Sequence, residues 1–219
     1  MVLKLIPKYL YIGILSLFVA FFCNLEQLYA QTCSGDISLS SQVEVDNFDC
    51  DTVTGNLYIR RTTSITNLNG LSKLTSVSGA VSIILNHALT NVDGLAALTS
   101  VGRWLSVSFN SALTNVDGLT ALTSAESVNI GNNRALTNVD GLAALASVEG
   151  VDISGNRALT NIDGLAALTS VKWLTIDGNS ALTNIDGLAA LTSVGDLDIV
   201  VTGCVKMSIC RRFENAATT

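Results

Sequence analysis

The chain has 219 residues, 12 of them basic and 18 acidic, for a net charge of −6, with one histidine and five cysteines. That acidic balance argues against nucleic acid or an anionic lipid surface as partner. The lone histidine, His87, sits in a loop position with no partner visible in the sequence, and no motif supplies a nucleophile with its base or a metal set. The reading is therefore of a non-enzyme without cofactor or metal.

At the N-terminus, Lys4 and Lys8 frame the start of an apolar run from Tyr9 to Phe22, and a small residue, Ala30, closes the segment. A basic region, a short apolar stretch and a small residue at the cut describe a secretory signal peptide over 1–30. The run is short for a bilayer span; an uncleaved anchor is the rival reading. Cys23, in "AFFC", lacks the small residue a lipoprotein site needs. Cleavage would remove Lys4, Lys8 and Glu26, leaving a net charge near −7 and no membrane span.

The other cysteines fall as Cys33 with Cys50 and Cys204 with Cys210, one pair at each end of the exported chain and none between. In an exported protein such local pairs read as disulfides. Zinc would need both pairs together, and the intervening chain holds them apart. The organisation expected is an N-terminal cap over 31–56, about seven repeats over 57–203, and a C-terminal cap and tail over 204–219.

Between the caps one phrase recurs. "ALTNVDGLAALTSV" begins at Ala88 and returns, nearly unchanged, at Ala112, Ala135, Ala158 and Ala181. Aligned on Asn67, Asn91, Asn115, Asn138, Asn161 and Asn184, the spacings are 24, 24, 23, 23 and 23. A fixed period in the twenties signals a solenoid, in which one unit cannot bury its own apolar face and stacking supplies the rest. Leu89, Val92, Leu95, Leu98, Val101, Leu105 and Val107 mark the inward positions of one repeat. "WLSVSF", "VDIS" and "WLTID" alternate with period two and predict short strands. "DGLAAL" suits a single helical or 3₁₀ turn with Asp as its cap. "LTNV" is expected to form a second short extended piece. The "N-x-D-G" unit lacks the alternating carboxylates of a calcium loop.

A second column, Asn86, Asn110, Asn133, Asn156 and Asn179, sits two residues before each recurring alanine, with Thr62 and Thr202 in the equivalent terminal places. Stacked amides there are expected to bond the backbone of their own turn and its neighbour.

The pattern "LTNVDGLAALTSV...L.I..N.ALTNV", with the opening "GDISLSSQVEVDNF" and the closing "GCVKMSIC", resembles the receptor L domain, the leucine-rich-repeat-like β-solenoid of insulin- and growth-factor-receptor ectodomains, and more closely secreted bacterial proteins of such repeats. The likeness spans residues 33–210. It implies a right-handed stack with cysteine-bearing caps and a binding or adhesion role, and it carries no ligand with it.

Candidate function lies where repeats differ. Trp104, Ser127, Gly150 and Trp173 fall in one outward column, and the tryptophans are the chain's only two. Three repeats at about 4.8 Å would place them ~14 Å apart across a shallow trough. One position earlier stand Arg103, Glu126, Glu149 and Lys172, a surface charge ladder. Asn129, Asp152, Thr175 and Asp198, then Ser154 and Asp177, make the later half of the face acidic and polar. It suits an extracellular protein or glycan. Asp152 and Asp177, in neighbouring repeats, imitate a glycosidase pair but lack a visible cleft. Threonine columns at Thr90, Thr114, Thr137, Thr160 and Thr183, and at Thr99, Thr123, Thr169 and Thr192, raise a second possibility, an ice-binding or structural envelope protein.

Overall fold

The computed structural model describes residues 30–200. The expected signal segment 1–29, Thr202 and the Cys204–Cys210 pair lie outside the described residues.

The described chain is a β-rich repeat stack with two parallel sheets. Its strands in chain order are β1 (Thr32–Cys33), β2 (Ile37–Leu39), β3 (Thr52–Val53), β4 (Leu57–Arg60), β5 (Ser76–Val77), β6 (Val81–Ile84), β7 (Ser100–Val101), β8 (Trp104–Ser108), β9 (Ser127–Gly131), β10 (Ser147–Asp152), β11 (Ser170–Ile176) and β12 (Ser193–Ile199). The eight-stranded sheet runs β2-β4-β6-β8-β9-β10-β11-β12, and the four-stranded sheet runs β1-β3-β5-β7. Each repeat therefore lays its strand beside that of the repeat before, in the same direction.

The aliphatic residues of each repeat converge between the sheets and the turns. Leu89, Val92, Leu95, Leu98, Leu105 and Val107 are fully buried, and their counterparts form one continuous core from Leu39 to Leu191. Each "DGL" forms a 3₁₀ turn, such as Asp93–Leu95 and Asp140–Leu142. The glycine of this turn is dictated by approach distance. A Cβ on Gly141 would stand 1.8 Å from the Val116 carbonyl oxygen of the preceding repeat.

Two local expectations need correction. "LTNV" joins neither sheet; the second sheet is built from "TSV". The Thr90 amide makes a single backbone bond to the Thr66 carbonyl of the repeat before, too little for a ladder. Nor does the aspartate cap the 3₁₀ turn: its formal N-cap is the preceding Val or Ile, with no side-chain bond. Instead the asparagine two residues earlier accepts the aspartate's amide, as Asn91 Oδ1 does from Asp93 at 3.2 Å and Asn138 Oδ1 from Asp140 at 3.1 Å. This is an Asx turn, in which the side-chain oxygen reaches the amide two residues on, and that explains why Asn precedes the turn.

The change of period from 24 to 23 has a structural consequence. Four residues separate Val77 from Val81 and Val101 from Leu105, but three separate Ala125 from Val128 and Val148 from Val151. With the extra residue, the two strands of a repeat stay distinct, as β5 and β6 do. Without it they run together into one strand of six or seven residues in β10, β11 and β12.

The N-terminal cap completes the stack. β1 pairs with β3 and β2 with β4. A one-turn helix, α1 (Gln42–Asp46), covers the first repeat with Val45 fully buried. Ser41 Oγ accepts the Glu44 amide, and Glu44 returns its carboxylate to the Ser40 amide at 2.6 Å. Those bonds hold the Glu44 carboxyl below its ordinary pKa. Gln42 Oε1 takes the Thr66 amide at 2.9 Å, so the helix seals the turn beneath it. The expected Cys33–Cys50 disulfide is formed, with Cα atoms 5.8 Å apart.

Candidate binding face

The asparagine column forms a buried ladder. Asn110, Asn133 and Asn156 have no exposed surface. Asn133 Oδ1 accepts the Asn110 amide at 2.9 Å, and Asn133 Nδ2 donates to the Val107 carbonyl at 2.8 Å. Asn110 and Asn156 repeat the pattern on Asn86 with Ile83, and on Asn133 with Ile130. Both bonds reach the preceding repeat, where the sequence suggested that one would stay in the residue's own turn. Asn179 donates to the Ile153 carbonyl and accepts from Asn156. At the other end Thr62 donates its amide and hydroxyl to Asn86 Oδ1. The ladder is a structural device with its polar atoms turned inward.

The outer face of the long sheet carries the candidate site. Register pairing puts Trp104 beside Ser127, Ser127 beside Gly150, Gly150 beside Trp173, and Trp173 beside Asp196. Trp173 is 38% exposed and Trp104 is partly buried. Trp173 does not stand upright as one wall of a trough. Its indole lies over Gly150, where an added Cβ would meet the ring at 1.7 Å. Glycine at that position is what lets the ring lie flat, and the ring leaves Gly150 buried.

The next outward column reads Tyr58, Ser82, Ser106, Asn129, Asp152, Thr175 and Asp198. Its middle is a hydrogen-bonded chain. Ser106 and Ser108 hydroxyls lie 3.0 Å apart, Ser108 donates to Asn129 Oδ1 at 2.7 Å, and Asn129 Nδ2 donates to Asp152 Oδ2 at 3.1 Å. Ser154 donates to the other Asp152 oxygen. Asp152 is thus tied to neighbours on both sides, whereas Asp177 is exposed and accepts the Gly178 amide at 2.6 Å. Asp152 pairs in register with Thr175, so the two acids are offset along the strands. Asp196 and Asp198 are exposed on β12. Of the charge ladder, Lys172 pairs with Glu149 at 2.6 Å between two well-exposed side chains, which contributes little to stability.

Several features escaped the sequence reading. The threonine hydroxyls donate to carbonyls of the preceding repeat: Thr114 to Thr90 and Thr137 to Thr114 at 3.1–3.2 Å, and Thr123 to Thr99 at 3.2 Å. His87 does have a partner, the Ser111 hydroxyl 3.4 Å from Nδ1, with both residues exposed. The residue just before Thr62 and before each ladder asparagine has positive φ in six consecutive repeats: Arg61, Leu85, Phe109, Asn132, Gly155 and Gly178. "GN" after the later strands was the available signal; the earlier repeats conceal it behind large side chains. A groove of about 410 Å³ lies beside Ala125, floored by Val148 and Val171 and edged by Ser147, Ser170, Glu149 and Lys172. It opens where Ala125 replaces the valine of the sister repeats.

The turn aspartates form a third column. Burial, then the neighbouring Asp117 and Asp163, push the Asp140 carboxyl above its ordinary pKa. No model of a known protein family matches the chain, and no curated protein is significantly similar to it.

Proposed function

We propose that this chain is a secreted or cell-surface, non-catalytic binding module. In this reading it is a right-handed β-solenoid of the receptor L-domain kind, exported by cleavage after Ala30. It recognises an extracellular protein or glycan with the outer face of its long sheet. The observation that carries the reading is the tryptophan column. The inward side of the sheet is wholly aliphatic and complete, yet two tryptophans are placed outward in one register and left partly exposed. Aromatic anchors at an interface typically contribute 2 kcal/mol or more on truncation, roughly thirtyfold in affinity.

The test is a glycan-array and cell-surface screen with the exported protein, repeated with Trp104→Ala and Trp173→Ala. Both variants should unfold within a few degrees of wild type and lose about thirtyfold in affinity for the ligand found. Unfolding of either would make the ring a core residue. Unchanged binding would move the site to Asp152, Asp177 and Asp198.

The ice-binding alternative is weaker on one observation. The threonine hydroxyls that would have to match a lattice already donate within the stack. A thermal-hysteresis assay separates the two.

A further inference from the structure

The outer face of the long sheet is not uniform along the stack, and its two halves are complementary. In the first three full strands, β4, β6 and β8, the face carries Arg60, Arg61 and Arg103 and no acid. In the last two, β11 and β12, it carries Asp177, Asp196 and Asp198 against Lys172 alone. Arg134 and Arg157 lie beyond the buried asparagine column, on the next turn.

Size follows the same gradient. The positive-φ column has Arg61, Leu85 and Phe109 in the early repeats, Asn132 in the middle, and Gly155 and Gly178 in the late ones. A left-handed backbone disfavours large side chains, yet Phe109 keeps one there, 48% exposed. Nothing within the stack requires it, since the later repeats place Asn or Gly at the same point.

We propose that the partner of this face is a second copy of the chain, docked face to face with the two stacks antiparallel. This rests on the reading of the outer face as a binding surface and names its occupant. A two-fold axis through β9, the middle one of seven strands, and running along the strand direction makes the contact isologous. It sets Phe109 against Gly155 and Leu85 against Gly178, bulk against space. It sets Trp104 against the Trp173 indole that covers Gly150, and Arg103 against Glu149. It brings Arg60 and Arg61 to the end of β12 near Asp198. Ile84 against Asp177 and Glu126 against its own copy are the pairs that do not match. A two-fold axis along the stack would instead keep the stacks parallel, reverse the strands, and face the arginine-bearing early half with the same half of the copy, with Phe109 at the Arg103 end of the same strand in the copy. Seven strands at ~4.8 Å and six residues at ~3.3 Å give a flat face of about 650 Å² per copy, near the ~800 Å² per partner of a stable interface.

The test is sedimentation equilibrium of the exported protein up to about 200 µM, at low and high salt. Wild type should form a dimer that weakens as salt rises. Arg61→Glu and Asp198→Lys each act twice in an isologous dimer and should each weaken it by about tenfold or more. An equimolar mixture of the two variants should dimerise again, because each reversed charge then meets its opposite. Phe109→Gly should weaken the dimer while its unfolding midpoint stays level or rises, since glycine relieves the left-handed strain. A monomeric wild type, variants that dimerise like wild type, or a mixture that stays monomeric would each overturn the proposal. If wild type is monomeric but Trp104→Ala still abolishes glycan or cell binding, self-association fails and the binding-module reading stands. If the mixture rescues the dimer and the screen finds no other ligand, the face binds its own copy.

Discussion

Replacing Asn133 by alanine isolates the interaction that joins one repeat to the next. The substitution removes the acceptor of the Asn110 amide and the side-chain donor to the Val107 carbonyl. Asn110 and Val107 are fully buried, so water cannot replace either bond. A stranded N–H costs about 1–3 kcal/mol, and the carbonyl, with a second lone pair, about 1 more. The expected loss is ~2–4 kcal/mol, a fall in Tm of about 4–16 °C for a domain of this size. The assay is thermal and urea unfolding followed by circular dichroism. The control is Asn138→Ala in the same repeat, where a more accessible amide caps only Asp140 and about 1 kcal/mol is at stake. Asn133→Asp adds a sign test. A carboxylate forced into that site has its folded-state pKa raised by burial above the unfolded value. The folded state then binds the proton more tightly, so stability should fall as pH rises from the unfolded carboxylate pKa toward the folded one. If Asn133→Ala loses no more than Asn138→Ala, the ladder does not join the repeats and the reasoning is wrong.

Gly141→Ala should destabilise by about 3 kcal/mol or more, because a Cβ 1.8 Å from the Val116 carbonyl oxygen can be relieved only by backbone movement; an unchanged urea midpoint would contradict the close approach. Replacing both Cys33 and Cys50 by serine opens a loop with a sequence separation of 17, for an expected loss of about 3 kcal/mol in the chain-entropy treatment; loss of proteolytic protection near α1 with the later repeats intact is the accompanying sign. For Asp140, burial and its acidic neighbours raise the folded pKa, so its contribution to stability is greatest below the unfolded carboxylate pKa and declines as pH rises through the folded value. Asp140→Asn should therefore be more stable than wild type at neutral pH and indistinguishable from it in acid, and pH-dependent unfolding midpoints read the difference.

What the sequence determined is whatever depends on period alone. A spacing of 23 or 24 brings the same residue to the same place in each repeat, so the buried leucines, the outward tryptophan column and the buried asparagines could all be read from recurrence. Cys33 and Cys50 were legible because they are near each other in the chain and stand apart from the repeats. What the tertiary structure decided depends on the distance between repeats, which recurrence does not encode. Asn91 and not Asp93 caps the turn because its carbonyl reaches the amide two residues on. "TSV" and not "LTNV" pairs, because only there do successive backbones present more than one bond. The exposed threonine hydroxyls turn toward the previous repeat because one of its carbonyls lies within 3.2 Å. Trp173 lies flat because the neighbouring strand offers Gly150, and any larger residue there would have lifted it into solvent. The single residue lost between Val148 and Val151, and again in the repeats after it, is visible in the sequence, but its effect, joining two strands into one in β10, β11 and β12, follows only from the geometry of the corner it shortens.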